Sequence, residues 1–294
     1  MQVLIGADPE VFVMKGGIMQ SAHGLVEGDK KNPQKVEFGA VQVDGMALEF
    51  NIDPAEDANT FVHNVQNVMA QLAAMVPEYK LVIEPVAHFN KDILAACPAE
   101  ALELGCDPDY DAYTGAPNPR PDGTRNFRTA AGHIHIGWTQ GMDINNPEHI
   151  EACRMLTKQL DVYLGIPSVI LDPDKTRREL YGKAGAYRVK PYGVEYRVLS
   201  NFWLKSPELQ QWVFSQTKRA FDALIEGNRI YEMAETISKR ASRYDTRTVI
   251  NGSFVADAKI LCDHYQIKLP KMNAGYKGKS LEPFYLGYAA QPGF

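Results

Sequence analysis

Three short segments of the chain each carry two ionisable side chains separated by one residue. The pairs are Asp8 and Glu10 in GADPEVF, His133 and His135 in AGHIHIGW, and Glu195 and Arg197 in YGVEYRVLS. Residues i and i+2 of a β-strand point to the same face of the sheet, so each pair is expected to stand side by side. Such charges are costly to bury unless metals, phosphates or partner groups compensate them. The pattern therefore indicates a site for ligands of this kind.

Each pair also has an ordinary structural interpretation. The two acids flank Pro9, which is typical of an edge strand whose side chains lie in solvent. The two histidines can be hydrogen-bonded core residues, although the flanking Gly132 and Gly137 favour contact with a ligand or a phosphate; zinc would need further ligands. The glutamate and the arginine can form an ion pair within the sheet. It is the occurrence of all three pairs in one chain that favours function.

A basic segment precedes the Glu195 strand. Its five cations are Lys175, Arg177, Arg178, Lys183 and Arg188. The segment can be a solvated surface, but the glycines of YGKAG (181–185) allow a backbone to approach a ligand closely. Phosphoryl transfer needs cations positioned around acidic groups and Mg²⁺. The chain has neither GxxxxGK[ST] nor GxGxxG, which disfavours a P-loop or Rossmann nucleotide site.

Composition limits the classes of protein that need to be considered. The 294 residues, 45% of them hydrophobic, suffice for one large or two small domains with a sizeable core. A net charge of −5 gives no basic surplus for nucleic acid, and no apolar run reaches the length of a membrane span. The N-terminus does not resemble a signal peptide. Four cysteines without a CxxC motif favour reduced cytoplasmic thiols, although a bridge between Cys97 and Cys106 stays open.

Strand patterns place more acids near the first pair. Residues 2–14 and 41–51 alternate as strands, and Gly45 marks a bulge or a turn in the second of them. If the alternation shifts there, Asp44 and Glu49 come to one face.

Helical spacing predicts helices after Asn59, Asn146 and Ser206, and residues 229–265 also have helical character. Strands and helices are mixed without a regular βαβ alternation, which predicts an α+β fold with a largely antiparallel sheet. The irregular segments 23–38 and 97–128 are candidates for loops that close over a site.

At the three pairs, the chain resembles the carboxylate–amine ligases of the glutamine synthetase and glutamate–cysteine ligase superfamily. GADPE looks like the opening G-x-E-x-E strand with Asp8 in place of the first glutamate, GHIHIG like the G-H-[VI]-H-[VI]-[GS] strand, and VEYR like the E-x-R strand. The segments 178–188 and 192–197 resemble a signature of the phage-encoded COOH-NH2 ligases of type 2. The likeness spans roughly residues 3–204, so we expect one catalytic domain over 1–294 with a helical extension over 205–294.

The resemblance implies a fold, cofactors and roles for individual residues. The fold is a glutamine synthetase-like, curved antiparallel sheet backed by helices, with ATP and two or more Mg²⁺ or Mn²⁺ ions. The implied ligands of the metal at the ATP phosphates are Asp8, His133 and Glu195. Glu10 and Glu49 are implied at a second metal near the substrate carboxylate, where Asp44 is open as a further ligand.

Other residues are implied at the nucleotide and in catalysis. His135 would approach the phosphates or the substrate, and Arg197 would hold the transferred γ-phosphoryl group. The implied surroundings of that group are Arg178, Lys183 and Arg188. The catalytic residues expected on this basis are Glu195, Arg197 and His135.

The sequence thus predicts an ATP-dependent ligase that forms an amide or isopeptide bond through an acyl phosphate. A metal-dependent hydrolase using the same acids and histidines is the alternative enzyme, and a non-catalytic nucleotide-binding relative is the third interpretation. The expected partners are a carboxylate and an amine of open identity, without nucleic acid or membrane, and the oligomeric state is open. If the chain is phage-encoded, the host cytoplasm is the expected location.

Overall fold

A computed structural model of the chain describes residues 2–102, 109–119 and 126–270. Cys106, much of the predicted loop 97–128 and the C-terminal segment from residue 271 onward lie outside the described residues. In the described part, no helix is both long and apolar enough to cross a membrane.

The β-strands, in chain order, are β1 (Leu4–Lys15), β2 (Ile18–Gln20), β3 (Gln34–Val36), β4 (Gly39–Asp44), β5 (Ala47–Ile52), β6 (Lys80–Val82), β7 (Val86–His88), β8 (Tyr110–Asp111), β9 (Phe127–Thr129), β10 (Gly132–Gly137), β11 (Ala186–Lys190) and β12 (Gly193–Tyr196).

The α-helices are α1 (Ala58–Met75), α2 (Lys91–Ala96), α3 (Ala99–Leu102), α4 (Pro147–Leu160), α5 (Ile166–Leu171), α6 (Thr176–Leu180), α7 (Pro207–Ile225), α8 (Ile230–Arg240), α9 (Thr246–Asn251) and α10 (Val255–His264). A π-helical turn, Asp161–Gly165, joins α4 to α5. Helix α1 is capped by Asp57, whose carboxylate accepts the amides of Asn59 and Thr60, so the helix begins before the predicted position at Asn59.

The large sheet has the strand order β3-β4-β5-β1-β10-β12-β11-β8, and β2 and β6 also pair with β1. Each strand pairing among the described residues is antiparallel. The predicted α+β class with a largely antiparallel sheet is confirmed.

Strand β1 occupies the middle of the sheet and changes partners along its length. It pairs with β10 over residues 4–9 and then with β5 at Glu10 and Val11. Pro9 is the last residue of the β10 ladder, and the next amide, that of Glu10, donates to the Ala131 carbonyl at 2.9 Å. The edge-strand interpretation of Pro9 is therefore wrong, because a change of partner tolerates the missing N–H inside the sheet.

The register of the strands aligns the ionisable side chains. Asp8 lies opposite His133, His135 opposite Glu195, and Glu10 opposite Glu49. Directly opposite residues in antiparallel strands share a face and stand about 5 Å apart. The front of the sheet therefore carries the acids and histidines on four adjoining strands.

The rear face packs against the helices. Its alternate residues, such as Ile5, Ile134 and Tyr196, belong to one buried cluster with side chains of α1, α7 and α10. Successive residues of these strands thus alternate between an apolar rear face and a charged front face of the sheet. In the hairpin between β4 and β5, Gly45 has φ +58° and forms the tight turn that the sequence predicted.

Gly193 occupies a position on β12 where a side chain does not fit. Its φ is +150°, and a Cβ there would lie 2.1 Å from the Ile136 carbonyl oxygen of β10. We expect Gly193→Ala to lower the free energy of unfolding by more than about 2 kcal/mol, through backbone strain and the steric clash together.

Urea unfolding measures this loss, and Gly141→Ala is the matched control. Gly141 has φ +63°, and a Cβ added there would have no atom within 4 Å, so its substitution should cost only the strain of a left-handed residue, about 1 kcal/mol. Equal losses in the two variants would contradict the proposed clash with β10.

Candidate active site

Asp8 stands between the two histidines of β10. Its Oδ1 lies 3.3 Å from His133 Nδ1, and its Oδ2 lies 3.0 Å from His135 Nε2. Asp8 Oδ1 and His135 Nε2 are nevertheless buried atoms without a hydrogen bond of good geometry. One ligand atom each from Asp8, His135 and Glu195 lie within 4.8 Å of one another. Carboxylate oxygens and an imidazole nitrogen this close together fit a divalent cation.

Glu195 is the most buried charge of the site, with 1% of its surface exposed. Arg197 donates to its Oε1, Arg188 lies 3.3 Å and Lys190 2.9 Å from its Oε2, and His133 Nδ1 lies 3.6 Å from its Oε1. Burial and Asp8 act to raise the pKa of Glu195, but Arg197 and the histidines outweigh them and lower it to about 2. The carboxylate is therefore charged at neutral pH.

The two histidines differ in charge because their neighbours differ. Burial lowers the pKa of His133 to about 4, and Arg197 acts in the same direction. Burial acts against the charged form of His135 as well, but the Asp8 carboxylate outweighs it and raises its pKa. His133 is thus neutral and has a lone pair for a ligand, whereas the Asp8 carboxylate favours the protonated form of His135.

A second cluster lies beside the first, where β1, β4 and β5 adjoin. Glu10, Asp44 and Glu49 each offer an oxygen, and these oxygens lie within 4.8 Å of one another. Glu10 accepts the Ala131 amide at 2.9 Å, and Gln42 donates to Glu49 at 2.8 Å. Burial, then neighbouring carboxylates, raise the pKa of Glu10 to about 7 and that of Glu49 well above its usual range. A cation bound here would relieve that repulsion.

Lys30 brings a positive charge to the second cluster from the segment 23–38. Its Nζ lies 2.7 Å from Asp44 Oδ1. The lysine sits in a tight loop in which Asp29 Oδ1 accepts the amides of Lys31 and Asn32, and the Gly28 carbonyl accepts the Val43 amide of β4. The loop therefore holds the ammonium group beside Asp44, whereas residues 34–36 of the predicted irregular segment form β3 of the sheet.

Cations form the opposite wall of the site, but they are not all those that the sequence indicated. Arg188 and Arg197 contact Glu195 as described. Arg178 lies elsewhere: it is buried and donates to the carbonyls of Asp172 and Asp174, both at 2.9 Å. Lys183 lines neither of the two cavities beside the acids.

Arg177 and Lys190 are site residues that the sequence reasoning missed. Arg177 is 3% exposed, donates to the Val198 carbonyl at 2.8 Å and lines the same cavity as Glu10. Burial lowers its pKa to about 10, and its Nε is buried without a hydrogen-bond partner. Lys190 lies two residues after Arg188 on one strand, and this spacing could have indicated that the two side chains share a face. Nothing in the local pattern distinguished Arg177 from Arg178.

Two cavities meet at the acidic groups. The first, called cavity A, has a volume of about 910 Å³ and is lined by His135, Trp138 and Tyr192 among others. The second, cavity B, has a volume of about 590 Å³ and contains His133 and Arg177. Asp8, Gln42 and Glu49 line both. A ligand in one cavity can therefore meet a ligand in the other at the carboxylates.

Comparison with known families agrees with the resemblance inferred from the sequence. A sequence model of the family described as phage phiEco32-like COOH-NH2 ligase, type 2, matches residues 124–239. This range contains β10, the basic segment and β12, and it confirms the suspected resemblance there; the acids of β1, β4 and β5 precede it. No curated protein matches the chain.

The contact between Lys30 and Asp44 predicts competition between the lysine and a metal ion. Replacing Lys30 by Met keeps the length of the side chain and removes its charge. We expect Lys30→Met to strengthen binding of Mn²⁺ at the second cluster by roughly tenfold, because the cation no longer displaces an ammonium group. Calorimetric titration of Mn²⁺ into the protein without nucleotide measures the change.

Lys31→Met is the matched control, because Lys31 is exposed in the same loop. If the two variants bind Mn²⁺ alike, or if Lys30→Met binds it more weakly, the ammonium group does not compete for this cluster.

Proposed function

We propose that the chain is an ATP-dependent ligase that joins a carboxylate to an amine through an acyl phosphate. The observation that carries the proposal is the pair of adjoining ligand clusters, centred on Asp8 and on Glu49, at the junction of two cavities. The match to a family described as COOH-NH2 ligases supports the same chemistry.

The ligand sets suit two divalent cations, Mg²⁺ or Mn²⁺. Asp8, Glu195 and a histidine of β10 would hold the first, and the buried Asp8 Oδ1 without a hydrogen bond fits that role. Glu10 and Glu49, with Asp44 beside them, would hold the second. When bound, such ions neutralise phosphate charge and orient the reacting oxygens. Because the ligand atoms of Asp8, His135 and Glu195 lie within 4.8 Å of one another, we propose His135 as the histidine ligand. The sequence predicted His133 for that role, and His133 lies beside the same two carboxylates, 3.3 Å from Asp8 and 3.6 Å from Glu195.

The two cavities suit two different substrates. Cavity A has aromatic side chains, Trp138 and Tyr192, and the amides of Gln2, Asn51 and others, as a nucleobase and ribose require. Cavity B combines arginines with acids, as a charged donor carboxylate requires. We therefore place ATP in cavity A and the carboxylate donor in cavity B, so that the γ-phosphoryl group lies where the cavities meet.

The arginines of the cationic wall provide the charge stabilisation. In the proposed first step the donor carboxylate attacks the γ-phosphorus of ATP, the bond to the β-phosphate oxygen breaks, and ADP leaves. Arg197 and Arg188 face that region beside Glu195, and the buried Nε of Arg177 can donate to an anion. Phosphoryl transfer depends mainly on such positioning and charge compensation.

In the proposed second step the neutral amine attacks the acyl carbon, and the bond from that carbon to the phosphate oxygen breaks. The amine nitrogen loses a proton, which leaves with the phosphate, and an amide or isopeptide bond remains. An acyl phosphate hydrolyses readily, so the site must exclude water. The segment 23–38, which places Lys30 over the acids, is the proposed cover.

The remaining features of the protein follow from the same proposal. We propose one catalytic domain over the whole chain, acting on a carboxylate and an amine without nucleic acid or membrane partners. Cys153 and Cys262 are buried free thiols, as a reducing cytoplasm favours; if the gene is carried by a phage, that cytoplasm is the host's.

ADP release from ATP and Mg²⁺, measured over a panel of carboxylates and amines, tests the reaction. We expect ADP only with a matching donor and acceptor, and Glu195→Gln should lower kcat at least about 100-fold because a buried charge that orders three cations is lost. Glu84→Gln is the control: Glu84 faces Lys205 at 3.7 Å, outside both cavities.

Other outcomes separate the alternatives. Turnover of a phosphoester or amide without ATP would show a metal-dependent hydrolase instead. Binding of ATP with no ADP from any pair would show a non-catalytic relative or a macromolecular substrate.

A second comparison tests which residues of the basic segment act on the substrate. We expect Arg177→Met to lower kcat/KM for the carboxylate about 100-fold, because the variant removes a buried cation from the wall of cavity B. Lys183→Met should stay within about threefold of the parent protein, since Lys183 lines neither cavity. The reverse order of effects in the ADP assay would restore the assignment of Lys183 and exclude that of Arg177.

A further inference from the structure

A carboxylate on the rear of the sheet, far from solvent, is not used by the proposed chemistry. Asp161 is the first residue of the π-helical turn after α4, and its exposed fraction is 0%. Its Oδ1 accepts the hydroxyl of Tyr196 at 2.8 Å, and its Oδ2 accepts the hydroxyl of Tyr113 at 2.9 Å. The backbone amide of Gly185 also donates to it. Three segments of the chain therefore converge on one carboxylate.

Each of the three segments leads either to Arg197 itself or to a residue that is hydrogen-bonded to Arg197. Tyr196 is the last residue of β12 and directly precedes Arg197, with its ring on the opposite face of the sheet. Tyr113 lies in the same segment as Asp109, and Asp109 Oδ2 accepts a hydrogen bond from the Arg197 Nε–H at 3.1 Å. Gly185 precedes Ala186, whose carbonyl accepts the Arg197 amide at 2.9 Å. The backbone and the guanidinium of Arg197 thus depend on the segments that Asp161 joins.

The segments that meet at Asp161 are packed too closely to shift relative to one another. Gly185 has φ +78°, and a Cβ there would lie 2.7 Å from the Tyr113 ring, so these two segments touch directly. The Ala112 amide donates to the Gly185 carbonyl at 2.9 Å. A Cβ at Gly165, on the other side, would lie 2.9 Å from the Tyr196 hydroxyl. A small change at Asp161 must therefore move the segments around it.

Joining these three segments through a buried carboxylate costs free energy, because the charged group loses its contact with water. Within the described residues Asp161 forms no ion pair, and burial raises its pKa to about 7. An apolar side chain of similar size would avoid that cost, although the two tyrosine hydroxyls would then lack an acceptor. The cost is consistent with a requirement for geometry rather than for stability.

We infer that Asp161 is a positioning residue, which fixes the Arg197 guanidinium between Asp109 and Glu195 by accepting hydrogen bonds from Tyr196, Tyr113 and Gly185 behind the sheet. Its effect on turnover rests on the proposed function. Its effect on the geometry of Arg197 does not, because the three hydrogen bonds and the Asp109 contact exist without substrate.

The test compares Asp161→Asn with Leu156→Ala in the full chain. An asparagine side chain has one acceptor oxygen in place of two and so cannot serve all three donors. Leu156 is buried on the same helix α4, so its truncation weakens packing there and leaves the carboxylate in place. Thermal unfolding of both variants shows whether their losses of stability are comparable.

The readout is hydrogen exchange at the Arg197 Nε–H, followed by NMR with ¹⁵N-labelled arginine and assigned through Arg197→Lys. We expect Asp161→Asn to raise the exchange rate at least about tenfold, because the Asp109 contact is lost, and Leu156→Ala to leave it within about twofold. Tyr196→Phe removes one of the three hydrogen bonds and should give a smaller increase; it decides the question if Asp161→Asn does not fold.

The ADP assay provides the second readout. Displacement of a guanidinium by about 1 Å is expected to lower kcat of Asp161→Asn by about 10- to 100-fold, with the KM for ATP within about threefold. Unchanged exchange in Asp161→Asn, or an equal increase in Leu156→Ala, would overturn the inference. If the parent protein releases no ADP with any pair, the panel does not support the proposed function, and the exchange data alone decide the role of Asp161.

Discussion

The structure of the site depends on keeping the Glu195 carboxylate charged with almost none of its surface in water. A buried carboxylate is stable only when cations and hydrogen-bond donors surround it. Here the surrounding groups come from β10, β11 and β12, since His133, Arg188, Lys190 and Arg197 all reach the same side chain. The antiparallel order of these strands is what brings the four groups together. Removing Glu195 would take away the carboxylate that Arg188, Lys190 and Arg197 share.

The two acidic clusters share a sheet face but differ in electrostatic balance. The two histidines outweigh burial at Asp8, and Arg197 together with the histidines does so at Glu195, so the pKa values of both acids are lowered. Around Glu10 and Glu49, burial and neighbouring carboxylates raise the pKa values, and Lys30 reaches only the Asp44 corner. The first cluster is thus prepared as a set of charged ligands. A cation bound at the second cluster would favour the charged forms of Glu10 and Glu49, so metal binding there would be coupled to loss of protons.

The front and the rear of the sheet depend on each other because β12 alternates between them. Glu195 and Arg197 lie on the front of the sheet, while the hydroxyl of Tyr196 between them donates to Asp161 behind the sheet. A strand transmits position in this way because its neighbours on either face are fixed by packing at close to crystal density. Gly182 and Gly185 also help to fix these positions, because both have positive φ values and let the basic segment lie close against its neighbours.

The sequence by itself determined the features that follow from local geometry. Period-two alternation predicted that each pair of ionisable residues shares a face, the glycine after Asp44 predicted the turn, and the mixture of elements predicted an α+β fold. The motifs of β10 and β12 were sufficient to indicate the ligase family. All of these depend on residues within a few positions of one another, where backbone sterics dominate.

Tertiary structure decided what depends on contacts between distant segments. Local rules assigned Pro9 to an edge, but strand pairing placed it in the middle of the sheet, where β1 changes partners. The choice of Arg177 over Arg178 follows from how the short helix α6 packs, because adjacent helical residues point about 100° apart and the sequence alone favours neither. Lys30 over Asp44, and Asp161 beneath Tyr196, join residues 14 and 35 positions apart in the chain. Such contacts form only when the sheet and helices have packed, because local conformational preferences do not determine which distant side chain becomes the neighbour.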